Sequence, residues 1–175
     1  MKHWRKFSKS TSVYFPNKID DHLFLSKKNV EFIKKKRNLV KFKSRICSHL
    51  NNKDKIHEML IFHKKGAYVR PHRHLNKLES FHLISGEVRI VLFNNKGIPI
   101  KVVRMGEYSL GKIFYYKLFK SCFHTVLIDR DVLFHEVTSG PYIKNQTIFA
   151  KWSPVENNKK AVKKYLSKLK KITKL

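Results

Sequence analysis

The 21 residues from Gly66 to Gly86 constrain this chain more than any other stretch. They read Gly-Ala-Tyr-Val-Arg-Pro-His-Arg-His-Leu-Asn-Lys-Leu-Glu-Ser-Phe-His-Leu-Ile-Ser-Gly. In an extended strand successive side chains point to opposite faces, so His72 and His74 share one face and Arg73 takes the other. Asn76 and Lys77 suit a turn, and Leu78 to Ile84 reads as a returning strand on which Glu79, Phe81 and Leu83 share a face. Pairing of these two strands would bring two imidazoles and one carboxylate together. Such a donor set suits a divalent transition metal: Fe, Mn, Ni or Zn. His82 falls on the face opposite Glu79 and is expected to point away from that metal.

The anchors Gly66, His72, His74, Glu79 and Gly86 are separated by five, one, four and six residues. This pattern resembles the first motif of the cupin superfamily: Gly, five residues, His-x-His, three or four residues, Glu, six residues, Gly. The second cupin motif brings a further histidine, and His124, at the start of His124-Thr-Val-Leu-Ile128, is the position that matches it. The rest of that motif departs from the pattern, with Phe119, Ser121 and Ile128 where the motif has Pro, Gly and Asn. The resemblance therefore implies one divalent ion bound by His72, His74, Glu79 and His124.

The resemblance narrows over four segments: Tyr68-Val-Arg-Pro-His-Arg-His74, Glu79-Ser80, Leu133-Phe-His-Glu-Val-Thr-Ser-Gly-Pro-Tyr142 and Phe149-Ala-Lys-Trp-Ser-Pro154. These are similar to the WbuC family of cupin-fold metalloproteins, which is associated with bacterial surface-polysaccharide gene clusters. The likeness runs from about Leu25 to Glu156 and leaves out Met1 to His22 and the Lys-rich tail.

Elements read from local pattern agree with a barrel. Ser26 is a candidate N-cap for a short helix ending near Arg37. Extended segments are expected at Lys41–His49, Ile56–Phe62, Val88–Phe93, Ile98–Val103, Phe114–Leu118, His124–Ile128, Val132–Val137 and Thr147–Trp152. Asn94-Asn-Lys-Gly97 and Gly140-Pro141 mark turns between them. In the tail, Val162, Tyr165, Leu166, Leu169 and Ile172 recur at helical spacing, with lysines on the other face. The expected fold is mainly β: a single cupin barrel of jelly-roll (double-stranded β-helix) type. A short helix precedes it and an amphipathic helix follows it. The expected divisions are an irregular arm at 1–22, the cupin domain at 23–156 and the Lys-rich helix at 157–175.

A formal net charge of +27 would ordinarily suggest nucleic acid or an anionic surface as a partner. Its placement argues otherwise. The first 45 residues hold 14 Lys and Arg against 3 acids, and the last 19 hold 8 Lys and no acid. The excess thus flanks the motif-bearing core, and no zinc-finger spacing, base-reading helix or aromatic RNA-binding signature accompanies it. Cys47 and Cys122 are far apart in sequence and not in Cys-x-x-Cys form, so they do not suggest a disulfide scaffold. The chain shows no apolar run of membrane-spanning length and no secretory signal, so a cytoplasmic protein is expected.

Several polar side chains near the motif are candidates for substrate contact. Arg70, Arg73 and Lys77 could grip an anion, and His49 could line the pocket, since it shares a strand face with Arg45. His135 and Glu136 are adjacent and cannot both face the cavity. The resemblance implies a small anionic sugar, free or nucleotide-linked, handled in surface-polysaccharide (O-antigen or capsule) synthesis. Lewis-acid chemistry of the isomerase or epimerase kind is the first reading. The alternatives are a non-catalytic sugar-binding or regulatory cupin and an Fe(II) dioxygenase. A homodimer is a further expectation from the resemblance.

Overall fold

A computed structural model describes residues 5–6, 12–14, 22–36 and 42–174. Alternating apolar and polar residues produce two antiparallel sheets that face each other. The first sheet has the order β1 (Arg5–Lys6), β2 (Ser12–Tyr14), β3 (Lys43–Cys47), β4 (Ile56–His63), β11 (Val132–Ser139), β6 (Glu79–Ser85), β9 (Tyr115–Leu118). The second has the order β12 (Thr147–Phe149), β5 (His72–His74), β10 (Phe123–Ile128), β7 (Val88–Phe93), β8 (Pro99–Met105). Among the described strands only β2 and β3 pair in parallel. Chain-adjacent strands repeatedly sit in opposite sheets, which is the jelly-roll form of the cupin barrel.

The motif glycines explain how the chain enters and leaves β5 and β6. Gly66 and Gly86 both have positive φ, 79° and 92°, a region open to glycine and costly for other residues. A Cβ on Gly86 would also collide with the Asp131 carbonyl oxygen. The tight reversal between β6 and β7 therefore needs glycine on two counts.

Among the described residues, three apolar clusters hold the layers together. The inner one lies between the sheets and includes Ile61, Phe81, Ile90, Val126 and Phe134. Outside the first sheet, α1 (Lys27–Lys36) lays Ile33 against Ile46, Leu60, Phe62 and Leu133. Strand β4 consequently buries both faces, Met59 and Ile61 inward and Leu60 and Phe62 outward. The Ser44 hydroxyl donates to the Ile33 carbonyl at 2.9 Å, tying the helix to β3. At the start of α1 the Asn29 side chain reaches back to accept from the Ser26 N–H at 2.7 Å. The Ser26 position thus marks the helix start as expected, although the capping bond runs from Asn29 back to it.

Outside the second sheet, α2 (Lys159–Ile172) packs Leu169, Tyr165 and Leu166 onto Val91, Phe93 and Leu127. Its far end is fixed by Arg89, whose guanidinium holds both Asp129 carboxylate oxygens at 2.6 Å and donates to the Thr173 carbonyl at 3.1 Å. The Asn158 side chain caps its start by accepting from the Ala161 N–H at 3.0 Å. The apolar stripe is thus spent on the barrel, and the lysines are left outside. No helix among the described residues is long and apolar enough to cross a membrane, which says nothing of strands.

Two expectations need correction. Strands β5 and β6 do not pair: β5 lies between β12 and β10, and β6 lies between β11 and β9 in the other sheet. Within the stretch expected to be irregular, Arg5–Lys6 and Ser12–Tyr14 are strands at the edge of the first sheet. The other residues before His22, and Arg37 at the expected helix end, lie outside the described residues.

Candidate metal centre and barrel cavity

The two sheets enclose a cavity of about 770 Å³. His72 and His74 face it from β5, and His124 stands opposite His72 on the neighbouring strand β10. Their ring centroids lie 4.9 Å (His72 to His74), 4.5 Å (His72 to His124) and 5.7 Å (His74 to His124) apart. One nitrogen from each of the three falls within 4.8 Å of the others. Glu79 reaches the same point from β6 across the barrel. Its Oε2 lies 3.2 Å from His124 Nε2 and 3.8 Å from His74 Nε2. Convergence is therefore produced by the closing of two sheets, where the sequence suggested a hairpin.

Each histidine is oriented through its other nitrogen. His72 Nδ1 sits 2.8 Å from the Arg70 carbonyl and His124 Nδ1 3.0 Å from the Cys122 carbonyl. A carbonyl only accepts, so these Nδ1 atoms carry a proton, and in the neutral ring Nε2 keeps its lone pair. His74 Nδ1 meets the Thr147 hydroxyl at 3.1 Å. Imidazoles fixed in this way are preset as metal ligands.

Charge and burial point the same way. Glu79 Oε2 and His124 Nε2 are buried, and neither has a hydrogen bond of acceptable geometry despite their 3.2 Å separation. Buried polar atoms without partners are costly and call for an explanation. A divalent cation at this point would satisfy both atoms, so the donor set fits a metal. Burial lowers the His72 pKa to about 4, with the nearby His124 adding to the effect, and burial also lowers His74. For His124 burial pulls downward, but the Glu79 carboxylate more than reverses it. Burial would raise Glu79, yet His124, His74 and His72 together keep its carboxyl below the usual range. The site thus favours one carboxylate and mostly neutral imidazoles, the protonation state that ligates metals.

The other sequence candidates separate cleanly. Lys77 and His49 line the cavity. Arg70 and Arg73 are not among its lining residues. Arg70 donates to Ser153 Oγ and the Ala150 carbonyl, each at 3.3 Å, and lies over the Phe149 ring. Arg73 stacks 4.9 Å over Phe123 on the outer face, as alternation with His72 and His74 requires. His82 is exposed, beside Phe114.

Glu136, and not His135, faces the cavity from β11. Its carboxyl is pushed up to about 8 by burial first and then by the Glu79 charge. Arg45 and His63 also line the cavity, from β3 and β4. Sequence reasoning missed the roles of Arg45 and Glu136. The period-2 alternation of β3 and β11 was visible, but nothing local says which face of a strand turns inward.

The fold is a jelly-roll barrel of cupin type, and it carries a group of residues able to hold a divalent metal. A family model described as "Domain of unknown function (DUF6016)" matches residues 32–105. No curated protein matches the chain. Among solved structures, oxalate decarboxylase from Bacillus subtilis is 19% identical with a TM-score of 0.44. The alignment covers 55% of this chain and 24% of that one. CapF in complex with 3-isopropenyl-tropolone is 18% identical with a TM-score of 0.49, covering 61% of this chain and 30% of that one. The formate complex of Lactobacillus farciminis oxalate decarboxylase gives 17% identity and a TM-score of 0.45, with coverage of 61% and 30%. The chain thus aligns with less than a third of each of these proteins.

Proposed function

We propose that this protein is a metal-dependent cupin acting on a small anionic, sugar-derived molecule, in surface-polysaccharide synthesis as the WbuC resemblance implies. The function is assigned to residues 23–156, with 157–175 as a covering helix, in a cytoplasmic setting. The observation that carries the reading is the meeting of His72, His74, His124 and Glu79 at one buried point inside a cavity of about 770 Å³. That volume falls within the range of small-molecule sites. A metal held by these four side chains would supply Lewis-acid polarisation of a hydroxyl or carbonyl oxygen.

The chain's own residues supply the rest. His72 and His124 keep their lone pairs aimed inward through the backbone carbonyls that hold their Nδ1 protons. Glu136 stands in the same cavity with its carboxyl pushed up, by burial first, and is the group best placed to give or take a proton. Lys77 stands at the same cavity and attracts a negative ligand. Isomerisation and epimerisation need this pairing of a polarising centre with a proton-transfer group.

The test is a turnover assay on untagged protein with nucleotide-linked sugars, in air and without oxygen, with metal content measured in parallel. About one divalent ion per chain and oxygen-independent conversion of one sugar, lost in Glu136→Gln, is the expected result. Metal binding with sugar binding and no turnover would move the assignment to a sugar-binding cupin, and strict oxygen dependence to a dioxygenase. Absence of a bound divalent ion after loading would refute the metal reading itself.

A further inference from the structure

The cavity holds more fixed positive charge than its acids neutralise. Lys43 is paired with Glu156 at 3.0 Å. Arg45 and Lys77 line the same cavity, and neither has a carboxylate within ion-pair distance among the described residues. The lining acids are Glu79 and Glu136, against Lys43, Arg45, Lys77 and Lys144, and neither acid lies within ion-pair distance of Arg45 or Lys77. Lys77 is itself depressed, first by burial. Unpaired cations in a half-enclosed chamber are costly unless a ligand completes them.

Arg45 is also aimed. It sits on β3 between β2 and β4, opposite Ser12 and Ile61. Its Nε donates to Ser12 Oγ at 2.6 Å, and Nη1 rests 3.6 Å from Met59 Sδ. Two neighbouring strands thus hold Nε and one Nη1 hydrogen, leaving Nη2 and the other Nη1 hydrogen to a ligand. The terminal nitrogens form a fork suited to a planar carboxylate or a phosphate. Lys77 comes from the loop between β5 and β6, with its ammonium 5.9 Å from the Tyr142 ring. It is a second positive charge lining the same chamber, and the Arg45 charge acts on it.

We propose that Arg45 and Lys77 form an anion subsite, so that the ligand of this cavity carries a carboxylate or phosphate at one end and oxygen donors at the other. The anionic end is gripped by Arg45, with Lys77 as second cation, while the oxygen donors face His72, His74, His124 and Glu79. This rests on the small-molecule reading above and adds the residue that selects the substrate class. Arg45 is a specificity residue and holds no metal.

The experiment is calorimetric titration of the full, metal-loaded chain with glucuronate, glucose 6-phosphate, inorganic phosphate and glucose. Wild type, Arg45→Gln, Arg45→Lys and Lys77→Gln are compared, with metal content and melting temperature recorded for each. One anionic sugar is expected to bind at least tenfold more tightly than glucose, and which one it is identifies carboxylate or phosphate as the recognised group. Arg45→Gln should remove that preference, and Arg45→Lys should restore only part of it, since it returns charge without the fork. Lys77→Gln should weaken the anionic probe several-fold. Equal binding of glucose and both anionic sugars, binding of none of them, or a preference that survives Arg45→Gln in a folded variant would overturn the subsite. Metal content unchanged across these variants would leave the metal reading standing in each of those cases.

Discussion

Removing one imidazole from the candidate centre is the sharpest perturbation available. In metal-stripped protein, Glu79 Oε2 and His124 Nε2 are buried without hydrogen-bond partners. A divalent ion would complete them and stabilise the native state by mass action. At a free metal concentration 100 times Kd the stabilisation is about 2.7 kcal/mol. For a chain of this size each kcal/mol shifts Tm by about 2–4 °C, so loading should raise Tm by about 5–11 °C. His74 contributes one of the three nitrogens that lie within 4.8 Å of one another. If His74→Ala weakens the metal about 100-fold, the same free metal equals Kd. The stabilisation then falls to about 0.4 kcal/mol, a shift of roughly 1 °C. His82 is exposed on the outer face of β6, so His82→Ala should keep the full shift. The assay is differential scanning fluorimetry of chelator-treated protein across a Zn(II) or Mn(II) titration, with metal analysis after desalting. His74→Gln serves as a second variant if the alanine form does not fold. A full shift in His74→Ala together with its loss in His82→Ala would show that the assigned strand face is wrong.

Two further outcomes follow from the packing. Leu169 is 2% exposed between α2 and the second sheet, so Leu169→Ala should cost about 2–4 kcal/mol in urea unfolding while leaving metal stoichiometry unchanged. Unchanged stability would mean that the tail helix does not pack as described. His63 has its pKa lowered to about 3, by burial first and then by Lys43 and Arg45. Unfolded His63 titrates near the ordinary value of about 6.5. Between these values the unfolded chain binds the extra proton, so stability is complete above about 6.5 and declines as pH falls toward 3. The decline is at most about 1.4 kcal/mol per pH unit from this group, and less because the ring borders the open cavity. A His63→Phe variant should show a shallower acid loss in melts from pH 7 to pH 4. An unchanged slope would contradict the assignment.

Much of this molecule is local, and local features were legible. The spacing from Gly66 to Gly86 marks where glycine conformations and extended strands must fall, because φ preference and side-chain alternation depend only on near neighbours. The expected strands lie where the sheets have them, apart from shifts of a residue or more at the ends. The heptad-like stripe from Val162 to Ile172 is the helix that covers Val91 and Leu127. Its lysines could be placed outside because the apolar face can be read directly.

What the sequence by itself determined, then, is the mainly β fold, the two flanking helices and the alternation that puts His72 with His74 and sets Arg73 against them. Tertiary structure decided which strands share a sheet. β5 and β6, close in sequence, went to opposite sheets, and Glu79 reached the imidazoles across the interior, because strand partners are set by burial of both sheet faces over the whole chain. It also decided which face of β3 and of β11 looks inward, and so brought Arg45 and Glu136 into the cavity and left Arg70 and Arg73 outside. Alternation fixes that two neighbours part company. Only the packing of Ile46 and Leu133 under α1 tells Arg45 and Glu136 which way to turn.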